Sequence, residues 1–321
     1  MSRIIAALLG AASLVLSGSV AAQSWPAKPV RIVVPSPPSG AIDVAARLVA
    51  GKLPDYWGQA VIIENRPGAS MIIGAEAVAK SAPDGYTLLA VHDGGMVMNT
   101  LAFKSLPYHP QRDFTPLSLM TTQPLVVLVN AGLGIRSIKE LIAHARVNPG
   151  KLNQGSGGMA TALALELFNA LAGTSIVVVP YKGIAQGLNS VMSGETQVSF
   201  IGVGSAAGAL KSDKVRVLAI TSAERSPRFP ELPTLAEAGV PGYEDSSWVG
   251  LFGPAGMAAE VKARITSDTR RALADAAVRV SLQKFFLDAV GSDGEELART
   301  LAADTEKWTR LARERNIKLS E

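Results

Sequence analysis

Few residues in this chain of 321 carry reactive side chains, and the most suggestive chemistry lies in three glycine- and serine-bearing loops. Pro35-Ser36-Pro37-Pro38-Ser39-Gly40-Ala41-Ile42-Asp43 leads from an apolar run into a helical pattern, and its prolines make it stiff. Gly155-Ser156-Gly157-Gly158-Met159-Ala160-Thr161 makes the same connection further on, and Tyr181-Lys182-Gly183 precedes a third helix. A helix N-terminus offers unpaired backbone N–H groups and a partial positive charge, so each loop can cradle an anion. Glycine there lets a ligand approach the backbone closely. One such loop is an ordinary strand-to-helix connection, but several from two halves of a chain describe a binding site. His92-Asp93 joins the set because it follows a strand end, where ligands gather in α/β sheets.

Catalytic patterns are missing. With no Cys, the chain has no disulfide, thiolate metal site, Fe–S cluster or Cys nucleophile. Its three His (His92, His109 and His144) are too few and too scattered for a His-rich metal centre. The sequence holds no H-E-x-x-H, no G-x-x-x-x-G-K-[ST] and no G-x-S-x-G. Ser281-Leu282-Gln283-Lys284 matches S-x-x-K without the partner motifs S-D-N and K-T-G, and reads as one turn of a surface helix. Gly202-Val203-Gly204-Ser205-Ala206-Ala207-Gly208 is one residue too long for the dinucleotide fingerprint and reads as a tight turn. The expectation is a binding protein, not an enzyme, with no cofactor and no metal.

The elements that must position these loops alternate. Val30–Val34, Val61–Glu64 and Tyr86–Val91 read as buried strands, and Asp43–Leu53 and Ala69–Lys80 as helices. This β-α-β-α-β run predicts a parallel, doubly wound sheet. Leu125–Asn130 reads as a further strand and Ser137–Arg146 as a helix. A second set follows: helix at Leu163–Leu171, strand at Ile176–Pro180, helix at Ile184–Ser193, strand at Gln197–Ile201, helix near Ser205–Lys211 and strand at Val215–Thr221. After a Pro-rich loop from Ser222 to Asp245 comes an isolated strand, Trp248–Phe252, and everything beyond Met257 reads as helix with breaks near Gly291 and Gly294. Two α/β sets with a returning strand predict two lobes and a cleft between them.

Arg3, the apolar run Ile4–Leu16 and the small residues ending at Ala22 have the form of a secretory leader. Residues 1–22 are therefore expected to be removed, leaving an exported, unanchored periplasmic protein. The net charge of +4 comes from scattered Lys and Arg, with no basic run interleaved with aromatics, so nucleic acid is not an expected partner. A mild positive field helps attract small anions.

Particular runs carry a family resemblance. They include Pro29-Val30-Arg31-Ile32-Val33-Val34-Pro35, Glu64-Asn65-Arg66-Pro67-Gly68-Ala69, Ala82-Pro83-Asp84-Gly85-Tyr86-Thr87-Leu88, Pro180-Tyr181-Lys182-Gly183 and Pro233-Thr234-Leu235-Ala236-Glu237-Ala238-Gly239. In their order and number these resemble the Bug family, periplasmic solute-binding receptors of tripartite tricarboxylate transporters. The resemblance extends from about Trp25 to the C-terminal helices. It implies an α/β two-domain type II periplasmic binding protein, each lobe a mostly parallel doubly wound sheet, with two crossover strands. Lobe I would comprise residues 23–125 and 247–321, and lobe II residues 126–246. It further implies a monomer that takes a small organic carboxylate into the cleft, closes on it, and presents it to membrane transporter subunits. Carried onto this chain, the family's ligand contacts fall on Ser39, Gly40, Ile42, Asp43, Ser156, Gly157, Tyr181, Lys182 and Gly183. Ser36, Pro38, Thr161, His92, Asp93, Ile201 and Ser205 complete the candidate set. Asp43 cannot itself hold a carboxylate; it is expected to order water, cap the helix or accept a ligand donor.

The chain departs from the family at Ser39, where Gly is usual, at Ile42, where Thr or Ser is usual, at Ile201, where Asp is common, and near Ala162, where His is common. These changes make the cleft less polar and point to a carboxylate with an apolar body, such as an aromatic acid. Met96, Met98 and Met159 could adapt to that body or belong to the core. A periplasmic sensor docking on a histidine kinase shares the same cleft, and an exported hydrolase is the remaining alternative.

Overall fold

Val30–Val34 (β1) is apolar at four of its five positions, and its outward residue is Arg31. Such a run suits a strand covered on both faces. The computed structural model describes residues 25–315 and Ile317, so the leader expected at 1–22 lies outside the described residues. After β1 come α1 (Ala41–Ala50), α2 (Leu53–Trp57), β2 (Val61–Asn65), α3 (Ile72–Ala79) and β3 (Thr87–His92). β1 pairs in parallel with β2 and with β3. α1 buries Ile42, Ala45, Ala46 and Val49, a helical stripe that packs on the sheet.

The third helix starts three residues later than its sequence pattern predicts. Ala69, Ser70 and Met71 all have positive φ (44°, 51° and 75°), so the α-helix cannot begin before Ile72. The displaced start lets α3 press on the end of β1, where a Cβ on Gly74 would lie 2.7 Å from the Pro35 side chain.

A π-turn at Gly94–Met98 and α4 (Asn99–Ala102) lead to β4 (Phe114–Asn130), a strand of 17 residues. Only its last part, from Leu125, is apolar enough to be read from sequence. The second α/β set follows: α5 (Ile138–Val147), β5 (Asn153–Ser156), α6 (Met159–Ala172), β6 (Val177–Pro180), α7 (Ile184–Ser193), β7 (Val198–Gly202), α8 (Val203–Ala206) and β8 (Val215–Ile220). β5 pairs in parallel with β6 and β7. The chain returns through β9 (Ser246–Pro254), then α9 (Ala259–Ala274), α10 (Ala276–Lys284), β10 (Asp288–Ala289) and α11 (Gly294–Glu314). The all-helical reading beyond Met257 is thus corrected: β10 pairs with Thr121 and Thr122 of β4. The breaks read near Gly291 and Gly294 do hold: helix is interrupted from Phe285 to Asp293, and it restarts as α11 at Gly294, where Asp293 accepts a hydrogen bond from the Glu296 N–H at 2.8 Å.

The strands run in the order β2-β1-β3-β9-β4-β7-β5-β6, with β8 and β10 also on β4. β4 pairs with β9 up to Pro124 and with β7 and β8 from Leu125 onward. One long strand therefore belongs to both halves of the sheet, and the partner exchange marks the junction between them. One apolar cluster lies within the first lobe and another within the second, where Phe286 from beyond α10 also packs. A third runs from Val91 and Met96 to Val129 and Phe168, with Leu297, Leu301 and Trp308 of α11 packed into it. Met96 and Met98 are buried in that cluster, and Met159 packs against it.

Candidate ligand-binding cleft

A cavity of about 370 Å³ opens where the two lobes meet. Gly40, Ala41 and Ile42 bring the N-terminus of α1 to it from the first lobe; Ala160 and Thr161 bring that of α6, and Ile184 that of α7, from the second. These three helices begin on Gly40, Gly158 and Gly183, and none of the three has a side chain capping its first turn. α5, α10 and α11 are capped by Ser137, Asp275 and Asp293, whereas α2, α3, α4 and α9 also lack a side-chain cap, so what sets the three apart is that they meet at one cavity. Uncapped N–H groups from both lobes thus converge on one space, each terminus adding a partial positive charge. Among the described residues no Lys or Arg lines the cavity. The site can attract an anion through backbone donors while its side chains remain mostly neutral.

Asp43 holds the first wall in shape. Its buried carboxylate accepts from the Ser39 N–H at 2.8 Å, from Arg47 Nε at 2.9 Å and from Asn65 Nδ2 at 2.8 Å. Asn65 Nδ2 also donates to the Ser36 carbonyl at 3.0 Å. Burial pushes the Asp43 carboxyl up, but the bonds from Arg47, Asn65 and the Ser39 N–H outweigh it and hold the group below 3.8. Its oxygens are spent on the loop itself, which makes Asp43 a positioning residue.

The second wall depends on close backbone approach. A Cβ on Gly157 would lie 2.4 Å from the Ile184 backbone, and one on Gly155 would lie 2.2 Å from Ser190 Oγ. The β5–α6 loop can therefore touch the start of α7 only through glycine. Ser156 Oγ and Thr161 Oγ1 lie 2.7 Å apart, and each is 2.9 Å from the Gly158 carbonyl, which ties the loop across the first turn of α6.

At the end of β3 the Gly94 N–H donates to His92 Nδ1 at 2.7 Å, so in the neutral ring Nε2 carries the proton. Asp93 accepts from Ser247 Oγ at 2.6 Å. Burial pushes the Asp93 carboxyl up, against the opposing pull of His92, Ser247 and the Trp248 N–H.

Of the residues singled out from sequence, Ser36, Gly40, Ile42, His92, Asp93, Thr161 and Ser205 line the cavity. Ser39, Asp43, Ser156, Gly157 and Gly183 stand behind them as loop supports. Pro38 is exposed on the same loop. Tyr181 donates from its hydroxyl to Glu195 at 2.8 Å, and the Lys182 N–H donates to Gln186 Oε1 at 3.1 Å; neither side chain lines the cavity. Ile201 is sealed in the second-lobe core, because its inward strand position puts it with Val126 and Val203. Sequence reading missed the junction residues Thr121, Gln123 and Ser247, which form part of the lining. The hydroxyls of Ser36 and Thr121 are shielded from solvent and have no hydrogen-bond partner among the described residues.

A family model described as "Tripartite tricarboxylate transporter family receptor" matches residues 45–317. The chain belongs to this receptor family. A protein encoded in the tcbD–tcbE intergenic region of Pseudomonas sp. strain P51 is 36% identical over 310 residues, which cover 95% of this chain and 92% of that one. BugT of Bordetella pertussis is 31% identical over 99% of both chains. Among solved structures, Rpa4515 of R. palustris with adipate superposes with a TM-score of 0.74 at 33% identity, covering 90% of this chain and 97% of that one. The expected two-domain type II architecture is thus the family's own, and the family is one of solute-binding receptors. No helix among the described residues is long and apolar enough to cross a membrane.

Proposed function

We propose that this receptor captures a small carboxylate with an apolar body in the cleft between its lobes, closes on it, and delivers it in the periplasm to the membrane subunits of a tripartite transporter. One observation carries this reading: three uncapped helix N-termini, from both lobes, face one cavity without a cationic side chain. A carboxylate bound there takes charge-assisted bonds from both lobes at once, contacts that exist only when the cleft is shut, so the ligand favours closure. The partner change between Pro124 and Leu125 suits a rotation of residues 126–246 against 23–125 and 247–321. Ile42, Leu125, Val249 and Leu287 supply apolar surface for the ligand body, and the unpartnered hydroxyls of Ser36 and Thr121 suit polar ligand atoms or ordered water. The adipate carried by the R. palustris relative supports the carboxylate class.

Calorimetric titration with benzoate-type and medium-chain acids, set against citrate and other tricarboxylates, tests the reading. Apolar-bodied acids should bind with micromolar affinity, a free energy of about −8 kcal/mol, and should be recovered chemically unchanged. Tight binding of citrate without binding of the apolar acids overturns the ligand class, and turnover of any of them overturns the receptor.

A further inference from the structure

Besides the apolar cluster that they share, the two lobes are joined beside the cleft by a further contact not made of continuous chain. Phe286, between α10 and β10, belongs to the first-lobe part of the chain, yet its ring packs against the second-lobe core of Val126, Ile201 and Val203. Every other residue packed in that cluster falls between 126 and 232. The Phe286 ring lies parallel to that of Phe229, with centroids 6.5 Å apart and planes 4° from parallel. Arg228 covers the same ring, its guanidinium carbon 5.3 Å from the centroid. Arg228 also pairs with Asp288 at 2.7 Å and donates to the Gln283 carbonyl at 3.2 Å. Two second-lobe side chains thus grip one short first-lobe segment.

The backbone is shaped for this grip. Phe286 has φ of 58°, a left-handed conformation that a bulky residue rarely adopts. The turn directs the carbonyls of Phe285 and Phe286 at Gln123, whose Nε2 donates to them at 3.3 and 3.2 Å. Gln123 lies on β4 just before it changes partners, and it lines the cleft. Leu287, the next residue, lines the cleft as well. Strain of this kind persists only where its surroundings over-determine it. Here the ring stack, the ion pair and the Gln123 bonds all act on one turn at the junction.

We propose that Phe286 and Arg228 are positioning residues, a non-covalent clasp that fixes the angle between the two anion-binding walls. The clasp limits how far residues 222–232 can swing from β10, and so how far the α1 N-terminus can separate from those of α6 and α7. Arg315 of the C-terminal segment also pairs with Glu166 of α6 at 3.1 Å, a separate contact between first-lobe and second-lobe chain. The proposal rests on the two-wall reading of the cleft but not on any ligand.

The chain contains no Cys, so two can be introduced and labelled without competition. Ile62→Cys on the first lobe and Val147→Cys on the second, both at exposed positions, give one distance across the molecule. Inter-label distances in the unliganded protein should broaden and shift to longer values in Arg228→Met, and further in Phe286→Ala. Arg228→Met removes charge from a partly exposed site, so its melting temperature should stay within about 2 °C of the parent. That combination separates positioning from plain stabilisation. If Phe286→Ala fails to fold, Asp288→Asn and Arg228→Met together carry the test. Distance distributions that overlay the parent's in both ion-pair variants overturn the clasp. Failure of every carboxylate to bind would overturn the receptor reading and leave this result standing.

Discussion

On the first wall the start of α1 is held by a carboxylate, and on the second the starts of α6 and α7 are held by missing side chains. Asp43 collects the Ser39 N–H, Arg47 and Asn65 into one node beneath a proline-stiffened loop. Gly155 and Gly157 let backbone meet backbone where any Cβ would collide. Both devices leave the helix starts without a side-chain cap at the edge of the same cavity. A wall fixed by hydrogen bonds should weaken gradually when one is removed, and should respond to pH. A wall fixed by close packing should fail abruptly and ignore pH.

The largest effect expected is from Gly157→Ala. Its new methyl would meet the Ile184 backbone at 2.4 Å, and backbone cannot rotate away as a side chain can. Overpacking of this kind costs roughly 1–3 kcal/mol, and the upper end applies here. Urea unfolding should show that loss, and calorimetry the loss of carboxylate binding. Gly40→Ala is the matched control on the first wall. Gly40 has φ of −76°, and a Cβ there would come no closer than 3.8 Å to the Pro37 carbonyl oxygen. Its unfolding midpoint should match the parent's. Equal destabilisation by the two variants would erase the distinction between the walls.

Asp43→Asn comes next. The amide keeps the shape but cannot accept from all three donors as an ion, and hydrogen bonds to a charged group contribute about 1.5–3 kcal/mol. About 2 kcal/mol should be lost near neutral pH. The sign of the pH dependence is set by the lowered carboxyl. A group held below its ordinary value of 3.8 when folded adds stability above that pH, and loses it as pH falls through the folded value. The gap between parent and Asp43→Asn should therefore be constant above about pH 5 and close in acid. A gap unchanged down to pH 2 would show that the node is not ionic. Gly157→Ala should keep its deficit across the same range.

The same contrast explains what the sequence revealed. β1 and α7 were readable to the residue because Val30–Val34 is a buried apolar run and Ile184–Ser193 starts after a glycine. The first part of β4 was not. Phe114–Pro124 includes Thr115, Pro116, Ser118, Thr121, Thr122, Gln123 and Pro124, and its pairing with β9 is interrupted by two register shifts. No alternation survives such irregularity, yet this stretch supplies the cleft floor. β5, Asn153–Ser156, has no apolar side chain and is a strand only because β6 and β7 flank it. The loops announced themselves through glycine and proline. Their roles did not, because whether Asp43 faces a ligand depends on a partner such as Asn65, distant in sequence.

The smallest effect, and the finest probe of the first wall, is Ser39→Gly. Ser39 has φ of 71°, which costs a residue with a Cβ about 1–2 kcal/mol. Glycine removes that cost, but it gives the unfolded chain more freedom, worth about 0.4–1 kcal/mol. The bond from the residue-39 N–H to Asp43 belongs to the backbone and survives the change. A gain of about 0.5 kcal/mol should remain, visible as a small rise in melting temperature. The two substitutions should then interact. If the Asp43 node is what holds residue 39 left-handed, Ser39→Gly should help less when Asp43 is Asn, because the loop can then relax out of the strained conformation. Strictly additive effects would mean that the prolines alone set the loop, and that the carboxylate serves only to anchor Arg47 and Asn65.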